Sequence, residues 1–554
     1  MPIRWGYLKR VLAGAIFGLY MTHLLYFLNP QVEITPGRLV LVTIVYGLTC
    51  GLLFGTLLWG LRALRVRLFG KPEAWRTHGF GFVVLAAFLS AGIYWMHLKL
   101  LGIQLYLPIG AVRILSKATV AITATAFVLL ALWVVERNAD RQTSRVLFVA
   151  GVVLIALSSV FLYQRRESYR TERKNVVVAT IGAVGERRPV IVIAIRNLPF
   201  DWIVTMRGEG LLPFFDAAGD RAFLTRLEPF PTRTPKSLWA SLATGKLPYR
   251  HGVTGRFAYR TPLNRAEPFL LLPYGVGFQA WGLIPPVERI SAPLPAGNAL
   301  PLWTLFERVQ LPASVIGWPS STQTSSQPRG ATRIVTDDAL RALPVDARAL
   351  GNISERFNSS GDAKPAILAA LARDAYAAAQ LRDARPYALR VLALEGFADA
   401  QRALHIFTNE LPPKTSAKGE ALRAYAQQLD RLLGGIVREH PDALVVVCSP
   451  SAVVAPQLPA NVYSIARSLL SPDDPGADDG FFLAVGPGGA HRENPQPAFA
   501  VDLVPTVLFA AGLPIGRDMD GRIVTDAFTD DALRATTLIQ TYEAERFVVR
   551  RAGG

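Results

Sequence analysis

The stretch "RPVIVIAIRNLPFDWI", beginning at Arg188, closes an apolar run with a guanidinium and a carboxamide, Arg196 and Asn197. The run reads as a buried strand and the pair as the tip of a tight turn. A guanidinium at a strand tip has two uses. It can hold a phosphate or sulfate group through parallel N–H donors, or pair with a nearby carboxylate as a structural cation, the role favoured here. A second polar stretch, "PTRTPKS", sets Thr234 directly before Pro235, where a hydroxyl fits the N-cap of a helix. The two cysteines indicate no structural disulfide, because Cys50 lies in one long apolar run and Cys448 in a strand-like one. The formal charge of +17 invites a nucleic-acid partner. The basic residues, however, are scattered or clustered beside apolar runs, without an aromatic-interleaved stripe, so nucleic acid is not an expected partner.

These residues need elements to position them. A chain of 554 residues with 51% apolar side chains is too long for one compact domain and too apolar for an ordinary soluble protein. The N-terminal third contains five apolar runs, at residues 11–28, 39–61, 80–98, 119–135 and 146–162. Each is near the roughly 20 residues that a helix needs to cross a bilayer core. Backbone groups in lipid must be satisfied internally, so each run predicts a helix. The first run holds Tyr20, Met21, Thr22 and His23 and lacks a small-x-small cleavage site, which predicts a retained anchor.

Arg4, Lys9 and Arg10 precede the first span, and arginines and lysines crowd the connections after the second and fourth. The positive-inside rule then places the N-terminus in the cytoplasm and everything beyond Leu162 outside, as for a bacterial inner-membrane protein with an extracytoplasmic C-terminal domain. The basic segment "QRRESYRTERK" runs against that rule and suits anionic lipid head groups. His23, Lys99 and Arg113 lie near predicted span ends, where snorkelling accounts for them, and no mid-membrane acidic residue suggests an ion path.

From about Pro189 short apolar runs alternate with helical stretches, the pattern of an α/β domain with a mostly parallel sheet. "VIVIAI", "ASVIGW", "ALVVVCS" and "FFLAVG" are the clearest strands, continuous enough to be covered on both faces. "AILAALARDAYAAAQLRDA" and "GEALRAYAQQLDRLLGGIVREH" are the clearest helices, and the proline- and glycine-rich stretches at 293–298 and 471–480 read as loops. The expected organisation is a five-helix transmembrane region at 1–163, a basic juxtamembrane linker at 164–187, an α/β domain at 188–530, and a C-terminal helix or tail at 531–554.

Four segments in order carry a family resemblance: "GEGLLPFFDAAGDRAFLTRLEPFPTRTPKSLWASLATGKLPYRHGV", "LPLWTLFERVQLPASVIGWPSS", "AYAQQLDRLLGGIV" followed by "ALVVVCSPSA", and "VDLVPTVLFAAGLPIGRDMDGRIVTDAF". Over residues 189–528 the chain resembles the alkaline phosphatase superfamily, in particular its type I phosphodiesterase and nucleotide pyrophosphatase branch, which also takes in sulfatase-like enzymes. That resemblance implies an α/β domain in which two divalent metals, usually zinc, stabilise the attacking and leaving oxygens of an in-line displacement. It also implies a threonine or serine nucleophile, which falls on Thr234.

The implied metal positions depart from the family pattern. The strand-ending Asp-Gly falls on Arg196 and Asn197, with "LPFDWI" and Asp201 continuing the match. An Asp-x-x-x-His pair falls on Ala398 and Arg402, and a Ser-Asp-His-Gly motif on Ser449, Pro450, Ser451 and Ala452. A last histidine would lie in "DPGADDG", which has none. Shifts of register would offer Asp201, Asp399, His405, Asp502 or His491 instead. No metal cofactor is therefore expected, since a cation is poorly placed beside a guanidinium that never loses its charge.

The expected function is a membrane-anchored pseudoenzyme with a phosphodiesterase-like domain, a binding or scaffold protein of the cell envelope. Its partners would be the bilayer and an envelope protein, a glycan or an anionic lipid head group. The alternative is an active membrane phosphodiesterase, or a phosphotransferase moving lipid head groups, that uses Thr234 with zinc or manganese held by an unrecognised set of ligands. In a third reading the spans are the functional half and the domain a regulatory cap.

Overall fold

The computed structural model describes residues 2–69, 79–103, 106–169, 178–181, 188–229, 235–253, 257–261, 268–273, 288–291, 299–319, 332–342, 347–407, 410–450, 479–534, 537–544 and 546–549. The chain forms two compact units, one of Met1–Arg173 with Gly255–Ser291, the other of Lys174–Thr254 with Ala292–Gly554.

The first unit contains all five expected helices: α1 (Pro2–Leu28), α2 (Pro36–Phe69), α3 (Gly79–Ile103), α4 (Ile109–Glu136) and α5 (Arg141–Glu167). Each has a stretch long and apolar enough to cross a membrane. Helix α1 is the central one. In its span 72% of an 18-residue stretch is buried, against 22% in α5, and glycine makes its approach to α2 possible. A Cβ on Gly18 would stand 2.6 Å from the Tyr46 carbonyl oxygen, and one on Gly14 2.5 Å from that of Cys50. Gly14 and Gly18 thus face Gly47 and Gly51 at the four-residue spacing that lets membrane helices pack backbone to backbone.

Polar side chains inside this unit bond to one another and to free carbonyls. Tyr20 Oη lies 2.8 Å from Ser158 Oγ, and the Tyr94 hydroxyl donates to the Tyr20 carbonyl at 2.9 Å. His23 does not snorkel. It is buried on the α5-facing side of α1, with Nε2 2.7 Å from Ser159 Oγ. Arg166, from the basic segment expected to meet head groups, is also buried. It donates to the carbonyls of Tyr26 (2.7 Å), Val32 (2.8 Å), Asn29 and Pro30 (both 3.2 Å) just where α1 ends and its last carbonyls lack helical partners. Asn29 extends the same junction. Its side chain accepts from the Leu270 and Leu271 amides and donates to the Leu271 carbonyl, which ties residues 268–273 to this unit, and Phe269 packs among the helices.

The second unit is a three-layer α/β domain. Its sheet strands are β1 (Val190–Ile195), β2 (Phe223–Glu228), β3 (Ala313–Ile316), β4 (Arg333–Val335), β5 (Leu389–Leu394), β6 (Leu444–Ser449), β7 (Gly480–Val485) and β8 (Ala498–Phe499). Their spatial order is β8-β2-β7-β6-β1-β5-β3-β4, and β7 alone runs against its neighbours. The four strands expected from continuous apolar runs are all present. Every residue of β1 is buried, with Ile191, Ile193 and Ile195 in one core layer and Val190, Val192 and Ala194 in the other. Each buried aliphatic side chain of this kind contributes about 1.5–3 kcal/mol of transfer free energy.

The first core layer is covered by α6 (Phe200–Gly208), α7 (Pro213–Arg221), α10 (Lys364–Ala379), α11 (Gly396–Ala403) and α12 (Ala417–Glu439). The second is covered by α8 (Pro235–Thr244) and α13 (Leu503–Ala510), with Trp239, Trp303 and Trp318 meeting edge to face at its centre. A short helix, α9 (Asp337–Arg341), follows β4. Both long helices expected from the sequence are found, as α10 and α12. The stretch at 293–298 and most of that at 471–480 lie outside the described residues. Beyond residue 530 the chain forms a one-turn helix, Asp530–Leu533, and two short strands, Leu538–Ile539 and Arg546–Val549, the latter parallel to Val178–Ile181.

Candidate functional site

Strand register builds the site. Ile195 pairs with Leu394 and Ala194 with Cys448, so Arg196, Glu395 and Ser449 leave the sheet side by side at the C-terminal edge. In open parallel sheets that edge, where the chain departs to both sides of a central strand, is where ligands bind. Here β1 is the central strand, with β6 on one side and β5 on the other.

Arg196 Nη1 donates to Glu395 Oε1 at 3.0 Å. Arg341, at the end of α9, donates to the other oxygen of Glu395 and reaches Asp399 Oδ2 at 3.3 Å. Arg373 on α10 meets that same oxygen at 2.6 Å, and Arg402 donates to Asp399 Oδ1. Four guanidinia from four elements are thus fastened to two carboxylates. Local sequence sets each in place. Thr336 caps α9 by accepting from the Ala339 amide at 3.1 Å, and Asp399 lies in the first turn of α11, where a negative charge suits the helix dipole.

Beneath them Asp374 is fully enclosed. Its Oδ1 accepts from the Gly396 amide at 3.1 Å and its Oδ2 from the Tyr425 hydroxyl at 2.9 Å. Burial pushes this carboxyl up to about 7, against the pull of those two bonds. A side chain on Gly396 would collide with the Tyr425 hydroxyl and Asp374, so only glycine fits there. A cleft opens above, lined by Gly317, Asp337, Arg341, Arg373, Glu395 and Asp399 among others.

The other expected site residues fall as follows. Asn197 adopts φ +65°, a left-handed conformation that asparagine tolerates better than other side chains, in the slot the family resemblance gives to glycine. Its side-chain amide donates to Gln401, and Gln401 returns a bond to the Asn197 carbonyl at 3.2 Å. Ser449 Oγ accepts from the Leu198 amide at 2.9 Å. Pro450 is buried beside it. Ala398 is fully buried, and Arg402 is spent on Asp399. Thr234 and Ser451 lie outside the described residues.

The candidates from shifted registers are dispersed. Asp201 pairs with Arg226 at 2.7 Å on the surface. Asp502 is buried and accepts from the Phe499 and Arg522 amides at 3.0 and 2.8 Å. His405 is an exposed residue at φ +53° after α11, and His491 Nδ1 lies 3.2 Å from the Ala222 carbonyl. Among the described residues no three histidine, cysteine, aspartate or glutamate side chains gather closely enough to hold a metal ion. At the implied ligand positions that are described stand two guanidinia, a methyl group and a pyrrolidine ring. These residues do not fit a two-metal set.

Sequence reasoning missed Arg341, Arg373, Glu395 and Asp374. It also missed a buried serine–histidine pair, Ser241 and His251, at 3.0 Å. His251 Nδ1 accepts from the Val253 amide at 3.1 Å, so its proton sits on Nε2 and is donated to Ser241 Oγ. Burial pushes this imidazole down to about 3. A histidine that gives its proton to the serine cannot take one from it, so the pair is a structural clasp and not a nucleophile with its base.

No protein-family model and no curated protein sequence matches this chain. Solved structures do. Human ectonucleotide pyrophosphatase/phosphodiesterase 5 is 12% identical over 62% of this chain and 100% of its own, with a TM-score of 0.38. A phosphonate monoester hydrolase from Silicibacter pomeroyi is 13% identical over 62% and 78%, with a TM-score of 0.37. The lipoteichoic acid synthase LtaP from Listeria monocytogenes is 12% identical over 62% and 76%, with a TM-score of 0.32. Overlaps this loose add no weight of their own, and the fold assignment rests on strand order, strand direction and the segments that fill them. The chain joins five helices long and apolar enough to cross a membrane to an α/β domain with a mostly parallel sheet flanked by helices.

Proposed function

We propose that this protein is a membrane-anchored pseudoenzyme of the cell envelope, with an extracytoplasmic phosphodiesterase-like domain that binds and does not hydrolyse. One observation carries the reading. At the tip of the central strand, where two-metal chemistry requires a carboxylate, Arg196 stands with its charge already engaged by Glu395 at 3.0 Å. A divalent ion there would meet the full repulsion of a permanent cation. Ala398 and Pro450 likewise lack ligand atoms, and Asn197 and Ser449 are committed to the hydrogen bonds that hold the turn. The distribution of lysine and arginine around the spans supports an extracytoplasmic placement of the domain.

The test is metal content and phosphodiesterase turnover of the full chain in detergent, with zinc, manganese, magnesium or calcium supplied and Thr234→Ala as control. The expected result is no tightly held metal and no turnover above the control. Two bound ions with turnover that disappears in Thr234→Ala would overturn the reading in favour of a membrane phosphodiesterase or head-group phosphotransferase.

A further inference from the structure

We infer that residues 255–291 are a docking arm, which holds the α/β domain to the helical unit independently of the linker after α5 and which an extended apolar peptide can displace.

The arm belongs to the helical unit, although the chain on either side of it, Lys174–Thr254 and Ala292–Gly554, belongs to the α/β domain. Its stems pair as an antiparallel ribbon, Phe257–Arg260 with Glu288–Ser291, and Arg260 meets Glu288 across it at 3.1 Å. Phe269 joins the ribbon through two backbone bonds with Tyr259, at 2.9 and 3.0 Å. The arm is therefore a built element and not a loose excursion of the chain.

Its tip, "PFLLLP" at residues 268–273, sets an apolar run between two prolines. The helical unit reads the main chain of this tip. Asn29, fully buried where α1 ends, accepts through Oδ1 from the Leu270 and Leu271 amides at 2.8 and 3.3 Å, and donates through Nδ2 to the Leu271 carbonyl at 2.6 Å. His97 on α3 is hydrogen-bonded to the Leu272 backbone. Phe269 is buried against Tyr26, ring edge to ring face with centroids 6.2 Å apart, and Leu271 and Leu272 pack on the same core. Main-chain bonds with an apolar side chain in a pocket are how grooves take extended peptides.

The receptor side is fixed without help from the arm. Asn29 Nδ2 also donates to the Leu25 carbonyl at 2.9 Å, and Gln31 Nε2 donates to Asn29 Oδ1 at 3.1 Å, which together set the orientation of the amide. With the arm gone, Asn29 would keep a buried donor and acceptor short of partners, so the groove favours another occupant of the same kind. The chain crosses between the units at residues 173–174, 254–255 and 291–292. After a cut at the first crossing the arm travels with the α/β domain, and its docking is what holds the two pieces.

A protease site inserted between Arg173 and Lys174 of the full chain in detergent tests this. After complete cleavage the fragments are expected to stay together in size-exclusion chromatography. Excess synthetic peptide with the sequence of residues 266–275 should separate them, and a scrambled peptide should not. Asn29→Ala and Phe269→Ala should each speed separation by roughly tenfold or more, because one removes hydrogen bonds to buried groups and the other a buried ring. The two substitutions lie in different fragments, so misfolding of one fragment cannot account for both. Arg385→Ala, at a surface arginine paired with Asp383, should change nothing. Prompt separation of the parent fragments, or retention that neither the peptide nor either substitution weakens, would overturn the inference. Neither outcome depends on whether the domain hydrolyses a substrate.

Discussion

The two units bury guanidinium groups by opposite means. In the helical unit Arg166 has no carboxylate partner among the described residues and is held by the carbonyls of Tyr26, Asn29, Pro30 and Val32. In the α/β domain Arg196, Arg341, Arg373 and Arg402 are held by Glu395 and Asp399. The difference follows from what each environment offers. A membrane helix ends in free carbonyls, and a carboxylate buried beside lipid is costly, so the dipoles at the end of α1 do the work of a counter-ion. A sheet edge surrounded by short helices can bring acids from several segments together, and it leaves the cations partly in water.

Removing Arg166 should give the largest effect. Arg166→Ala strips several buried carbonyls of their donor at once, and a loss of about 3 kcal/mol or more is expected in detergent-denaturation titrations of the full chain. Arg166→Lys should recover part of it. A loss below about 1 kcal/mol would mean that water replaces the guanidinium and that the junction is wetter than its burial implies.

Asp399→Ala should come next, at about 1–3 kcal/mol. It takes a carboxylate partner from three guanidinia at once, of which Arg341 keeps Glu395, and these are partly exposed and screened by solvent. Salt sharpens the contrast between the units. Raising ionic strength should shrink the Asp399→Ala effect and leave the Arg166→Ala effect unchanged, because exposed charges are screened and buried dipoles are not. Equal salt responses would collapse the distinction.

The smallest effect concerns pH. Asp374 is faced by Tyr425 from α12, by Asp399 and Glu395 at α11, by Asp337 and Arg341 from α9, and by Arg373 on its own helix. Its carboxyl is raised to about 7 in the folded chain, so the folded state binds the proton more tightly than the unfolded one. The contribution of Asp374 to stability is complete below the ordinary carboxylate range, near pH 4, and is lost as pH rises toward about 7. Asp374→Asn, isosteric with the protonated form, should flatten that part of the stability profile. An unchanged slope would assign the proton elsewhere in the cluster.

Much of the fold was legible because it depends on local pattern. Runs of apolar residues near 20 long had to become membrane-type helices, and short continuous apolar runs had to become strands covered on both faces. The place of Arg196 and Asn197 was legible too, because a strand that stops being apolar ends in a turn. His23 was misjudged, since distance along α1 does not reveal that Ser159 on α5 stands opposite.

By itself, then, the sequence determined the five helices, the central strands and the departure at the tip of β1, all of which rest on side-chain patterning over a few neighbouring residues. Only the tertiary structure decided what Arg196 meets. Arg341, Arg373 and the segment from Glu395 to Arg402 all lie far from Arg196 along the chain, and they converge because parallel pairing of β1 with β5, and of β5 with β3, brings the C-terminal ends of these strands to one edge. Ion pairs between distant segments carry no periodic signal, and register, a property of pairs of strands, makes them neighbours.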